Sequence, residues 1–225
     1  MRVLYVLTFT SAALAAVGGA AAAPLISRSQ ATQIARSSNL RATDVPGYEQ
    51  APSSNPASED IWGGRRYARC AKRKAYGREL ADVMSPSFER SAPGQFDALG
   101  SEVEVMPKES LAAADISIAK SGLGQRCMKR EMLRLKPADV ELQNFTVNRL
   151  SGFNSGVAYR IKMAVTSQGV TFPIYADVFA FAEREVEGSA FFISGPNPPN
   201  RADENHLVNQ VLTRVDKQVF KNEIF

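Results

Sequence analysis

The sequence predicts an α+β fold, an antiparallel β-sheet flanked by helices, and three observations carry this. Four successive segments, Gln143 to Leu150, Val157 to Thr166, Val170 to Glu183 and Val186 to Ser194, run at a period of two and are split by Gly- or acid-rich bends. The final stretch gathers Leu207, Val208, Val211, Leu212, Val215 and Val219 into one apolar stripe at helical spacing. Between Pro107 and Pro137 two further helical segments separate these strands from earlier ones. At 225 residues the chain is long enough to bury a core without stapling. Hydrophobic residues at 44% and charged residues at 22% exclude collagen-like and wholly disordered classes.

Taken in order, the elements begin with an export signal over residues 1–22. Met1-Arg2 is its positive start, and Val3 to Ala23 carries no charge. Small residues from Gly18 to Ala23 precede Pro24, and the spacing favours cleavage after Ala22. The rival reading is a retained membrane anchor, since about 20 apolar residues span a bilayer. Residues 23–64 read as an N-terminal helix, Ser29 to Asn39 with Ser27 or Ser29 as cap, followed by a linker rich in Pro, Ser and Gly. Asp44-Val45-Pro46-Gly47 is a turn, and Trp62 near the linker's end reads as a packed anchor.

Residues 65–225 read as one α+β domain. Arg78 to Phe88 and Ser101 to Met106 are predicted strands, the second with Val103 and Val105 on one face and Glu102, Glu104 and Met106 on the other. A helix opens at Pro107 to Ser110, carries Leu111, Ala114 and Ile118, and closes at Ser121-Gly122. Another covers Gln125 to Leu135 and ends before Pro137. In the strand from Val157, the side chains of Val157, Tyr159, Ile161, Met163 and Val165 cover a core, while Arg160, Lys162 and Thr166 meet water. The strand from Val170 is apolar on both faces and is therefore central, or lines a cavity. Asn200 caps the last helix.

The inventory of chemistry is thin. The sole histidine, His206, follows Asp203 at a spacing that stacks both on an exposed helix face. There is no G-x-S-x-G elbow, S-x-x-K motif, zinc spacing, EF-hand loop or dinucleotide fingerprint, so no catalytic residue, metal or cofactor is assigned. Asn144-Phe145-Thr146 fits a glycosylation acceptor that falls within a strand. Export makes a Cys70–Cys127 disulfide the default for an isolated pair, with a redox or nucleophilic cysteine as the functional alternative.

Charge is the strongest asymmetry. The chain's formal charge is +4. The run Arg65, Arg66, Arg69, Lys72, Arg73, Lys74 and Arg78 contains no acid, and Arg126, Lys129, Arg130, Arg134 and Lys136 surround the second cysteine against Glu131 alone. A disulfide would join these stretches, which hold twelve of the 27 Lys and Arg. Such a basic patch suits an anionic envelope lipid, a wall polymer or a glycan, with peripheral membrane contact; the bland reading is a solvated surface. Nucleic acid is disfavoured by export and by the few aromatics in the run. A second candidate site is an apolar pocket at Phe172, Tyr175, Phe179, Phe181 and Phe191, where ordinary core packing is the competing reading.

The segments LADVMSPSFER, SEVEVMPKESLAAAD, GQRCMKR and YADVFAFAEREVEGSAFFISG, followed by an amphipathic helix, resemble exported actinobacterial sensor-like domains. These include the extracellular domain of PknH-type kinases and the LpqN-type lipoproteins. The resemblance implies a Mog1/PsbP-like α/β/α sandwich, a structural disulfide at Cys70 and Cys127, and a non-enzymatic ligand-binding or accessory role at the cell envelope. It brings no residue-level site, and this sequence shows no kinase and no lipid-modified Cys. The expectation is a secreted binding domain. The alternative is a secreted hydrolase, which a carboxylate pair or a Ser–carboxylate cluster in a cleft would mark.

Overall fold

The structure, a computed structural model, describes residues 26–51, 65–74, 77–134, 141–167 and 169–221. The signal segment, most of the linker and Trp62 lie outside these residues, as does the helix end next to Pro137. In chain order the elements are α1 (Arg28–Ser38), β1 (Glu49–Gln50), α2 (Arg65–Ala71), β2 (Ala81–Met84), β3 (Phe88–Ala92) and β4 (Gln95–Val105). Then come α3 (Glu109–Lys120), α4 (Gly122–Arg134), β5 (Glu141–Leu150), β6 (Gly156–Ser167), β7 (Val170–Glu183), β8 (Val186–Gly195) and α5 (Arg201–Lys221). The strands form one antiparallel sheet in the order β1-β3-β4-β8-β7-β6-β5, and β2 pairs with the second half of β4. The fold is α+β.

Each face of the sheet has its own helical cover, because β4, β7 and β8 alternate between two apolar sets. On one side Leu99, Val103, Val105, Phe179, Phe181 and Phe192 pack under α1 and α5, whose Ala31, Ile34, Val208, Val211 and Val215 complete that core. On the other, Tyr159, Ile161, Ala176 and Val178 pack against Tyr67 and Ala71 of α2, Ile116 and Ala119 of α3, and Met128 of α4. Helices thus cover both faces of the one sheet, as the α+β expectation required.

Local chemistry explains the element ends. Ser27 Oγ accepts from the Gln30 amide and the Gln30 side chain returns to the Ser27 amide, a capping box on α1. At the other end of α1, Asn39 donates to the Val83 carbonyl and accepts from Ser101 Oγ, which in turn accepts from the Leu40 amide. That buried network ties α1 to β2 and β4. Gly124 is forced by close approach: a Cβ there would lie 2.3 Å from the Ile118 carbonyl oxygen, so α4 can start directly on the end of α3. Asn200 Oδ1 accepts from the Ala202 amide and caps α5.

Several expectations are corrected. The segment Arg78 to Phe88 is not one strand. β2 is short, and β3 forms a hairpin through Pro93-Gly94 to a β4 that begins six residues before Ser101. The first part of the basic stretch, for which the sequence pattern predicts no element, is the helix α2. The buried stripe of α3 is Ala112, Asp115, Ile116 and Ala119, while Ala114 is exposed. A pattern rule that keeps charge outside cannot place Asp115 on the inner face. The second face of β6 is also covered: Ala158 is buried and Arg160 makes a two-pronged ion pair to buried Asp177.

Candidate functional site

The disulfide places the first candidate surface. Cys70 near the end of α2 is bonded to Cys127 in α4, with Cα atoms 5.7 Å apart, so these two helices are clamped side by side. Around the bond, Arg66, Arg69, Lys72, Lys74, Arg126, Lys129 and Arg130 are exposed. The side chain of Arg65 lies outside the described residues. Arg130 pairs at 3.0 Å with its neighbour Glu131. Leu133, one turn beyond Lys129 and Arg130 on α4, is one of the exposed large apolar side chains.

Arg73 is a correction to that patch. Its side chain is only 7% exposed and turns inward, where Nε donates to Asp115 Oδ2 at 2.7 Å and Nη2 reaches Glu104 Oε2 at 2.9 Å and Glu187 Oε2 at 3.4 Å. Burial opposes its charge, but the fields of Glu104, Glu187 and Asp115 outweigh that and hold its proton more tightly than usual. The acids share one cation among several. Burial first, then the field of Glu104, lifts the Glu187 carboxyl to about 9. Burial likewise raises Glu102 well above the ordinary carboxylate range, with Glu104 and Asp82 adding to it, and raises Glu104 and Asp82 themselves.

Arg73, Glu102, Glu104, Asp115 and Glu187 line a cavity of about 50 Å³ with Tyr67, Ile116 and Ser189. It brings carboxylates and a serine together around a space that holds a few waters. Tyr67, pushed up to about 12 by burial, is a neutral phenol there at physiological pH.

The aromatic set divides between the faces of the sheet. Phe179 and Phe181 are fully buried under α1 and α5, with Phe153 and Phe192 packed edge-on against Phe179 at 5.3 and 5.6 Å. Phe191 lies on the opposite side, against the second core and over Gly100. Tyr175 is half-buried with the Lys162 ammonium 5.7 Å from its ring, and Phe172 is half-buried toward the outer end of β7. Phe179 and Phe181 serve as core rather than as the wall of a shared pocket. His206 is exposed, with its Nε2 2.9 Å from Gln210 Nε2, one turn along α5.

Sequence reasoning missed the Arg73 cluster. The one available signal was that Glu102, Glu104 and Glu187 all occupy strand positions.

No family model matches the chain, and a search of curated proteins finds no match. Among solved structures, the extracellular domain of PknH from Mycobacterium tuberculosis aligns over 60% of this chain and 64% of that one, with a TM-score of 0.30 and 8% identity. A likeness at that level assigns this chain neither a family nor a site.

Proposed function

We propose that the protein is an exported, non-enzymatic binding domain of the cell envelope that docks on anionic lipid headgroups through the surface formed by α2 and α4. The observation that supports this most is the cluster of exposed basic side chains around one disulfide: Arg66, Arg69, Lys72 and Lys74 on one side, Arg126, Lys129 and Arg130 on the other. A structural disulfide fits an oxidising compartment, in line with the signal-like start of the sequence. No helix among the described residues is long and apolar enough to cross a membrane, and the contact proposed for the α2–α4 surface is peripheral. Basic side chains at a negatively charged bilayer each contribute about 1 kcal/mol, and exposed Leu133 adds an apolar contact that favours lipid over a wall polymer or glycan.

The test is co-sedimentation with vesicles. The protein should pellet with vesicles containing an anionic phospholipid and remain free with purely zwitterionic ones. Replacing Arg66, Arg69, Arg126 and Lys129 by Gln should weaken binding about tenfold or more. Binding to a soluble anionic glycan or wall polymer but not to vesicles would move the reading to that partner. Failure to bind any polyanion at low salt would overturn it.

A further inference from the structure

Acidic residues stand in a row across three neighbouring strands. Asp82 on β2 lies opposite Glu104 on β4, and Glu104 lies opposite Glu187 on β8. Like charges directly opposed on adjacent strands repel. Here the repulsion is poorly screened, because Glu104 and Glu187 are only 7% and 8% exposed. Glu102 adds a carboxylate on the same sheet face, and Asp115 adds one from α3 above it. Glu79 contributes further negative field. Arg73 engages Glu104, Asp115 and Glu187 on the inner side, while Asp82 and Glu102 meet each other beyond it. Among the described residues, Arg73 is the one cation in an ion pair with these acids.

Two independent features distinguish this place from an acidic surface patch. One carboxylate oxygen from each of Asp82, Glu102 and Glu104 converges so that all three lie within 4.8 Å of one another. An ion held by oxygens at about 2.3–2.6 Å fits that spacing. Separately, Asp115 Oδ1 and Glu187 Oε1 are buried without a hydrogen-bond partner among the described residues, and both residues line the cavity behind the trio. An unsatisfied buried acceptor is costly, and a cation with its water shell would supply what both oxygens lack.

We propose that Asp82, Glu102 and Glu104 bind one hard divalent cation of the calcium class, with Asp115 and Glu187 facing its inner water shell. All the donors are oxygens, which selects calcium or a similar ion over zinc or copper. Asp82 is exposed on the short strand β2 and opens a path from solvent. Arg73 acts as a positioning residue: it holds the Oε2 atoms of Glu104 and Glu187 and leaves the Oε1 atoms for the ion and its waters.

The experiment is calorimetric and thermal titration of the intact, oxidised protein, stripped with chelator, using calcium, magnesium and manganese chlorides. Calcium should bind with one-site stoichiometry at micromolar to millimolar affinity and raise the melting temperature. Asp82→Asn and Glu102→Gln should each weaken calcium binding about tenfold or more. Without metal both variants should melt no lower than wild type, because each relieves repulsion. Asp203→Asn, on the exposed start of α5, should leave the response intact. A wild-type melting temperature unchanged between chelator and millimolar salts of all three metals, with no binding heat, would overturn the proposal. So would a calcium response identical in wild type and both variants.

Discussion

Glu204 is the residue where burial and charge conflict most simply. It sits on α5 with no solvent exposure, against Asp177 of β7, which Arg160 of β6 already holds in a two-pronged ion pair. Arg201 reaches Glu204 Oε2 at 3.2 Å while lying over the Phe179 ring. Burial first, then the hydrogen bond with Asp177, lifts the Glu204 carboxyl to about 8. A raised carboxyl in the folded state means that folding retains a proton which the unfolded chain releases. This contribution to stability is therefore complete below the ordinary glutamate value near 4.5 and is lost progressively as pH rises toward about 8. Within that window the slope is about 1.4 kcal/mol per pH unit for one proton. Glu204→Gln keeps the shape and a donor toward Asp177 but cannot ionise. Urea unfolding of the two proteins at several pH values between about 5 and 8 should show wild type losing stability relative to the variant as pH rises. Parallel curves would rule out a retained proton at this residue. Neither this pair nor the Arg73 cluster was legible in the sequence, because each depends on partners distant in the chain: Asp177 to Glu204, and Glu104 and Glu187 to Arg73. Within a run of seven basic residues nothing local distinguishes Arg73 as the one that turns inward.

Elements were legible where one face differed chemically from the other. The alternation in β6, β7 and β8 and the apolar stripe of α5 gave those elements nearly at their observed bounds. The β3–β4 hairpin was obscured because its protruding end is exposed or half-covered on both faces, so residues 89–98 carry no apolar period, although Pro93-Gly94 is a turn signal. α2 was masked for a related reason. Only Tyr67, Ala68 and Ala71 are shown buried in it, and such a short helix owes its position to what it is tied to. That tie is the Cys70–Cys127 bond, which closes a loop of 57 positions containing β2, β3, β4 and α3. In the chain-entropy view, closing such a loop stabilises the fold by about 4 kcal/mol. Replacing both cysteines by serine should reduce unfolding free energy by roughly that amount, as read from denaturant midpoints at constant slope. Amide exchange should rise most in α2, while the β6–β8 strands remain protected. Uniform loss of protection across the sheet would instead make the bond a global brace.

At the scale of the molecule, a mildly basic chain conceals segregated charge. The two stretches around the cysteines hold twelve of the 27 basic residues, and the rest of residues 23–225 has fourteen against 22 acids. Folding sharpens this in one respect and blunts it in another. The disulfide draws the stretches together, and Arg73 leaves the surface for the acid row. What remains is a field whose effect depends on where charges sit rather than on their sum. Two variants of equal net charge separate those possibilities. In one, Arg66, Arg69, Arg126 and Lys129 become Gln; in the other, the equally exposed Arg28, Arg36, Lys120 and Lys217 do. On an immobilised sulfated polymer the first should elute at markedly lower salt than wild type, and the second close to wild type. Salt screening over about 10 Å makes retention report the local cluster. If both variants shift equally, net charge governs, and the α2–α4 surface is a solvated face with no preference for an anionic partner. If only the first shifts, the clamp that fixes α2 also concentrates the charge, which makes the disulfide part of the binding surface as well as of the fold.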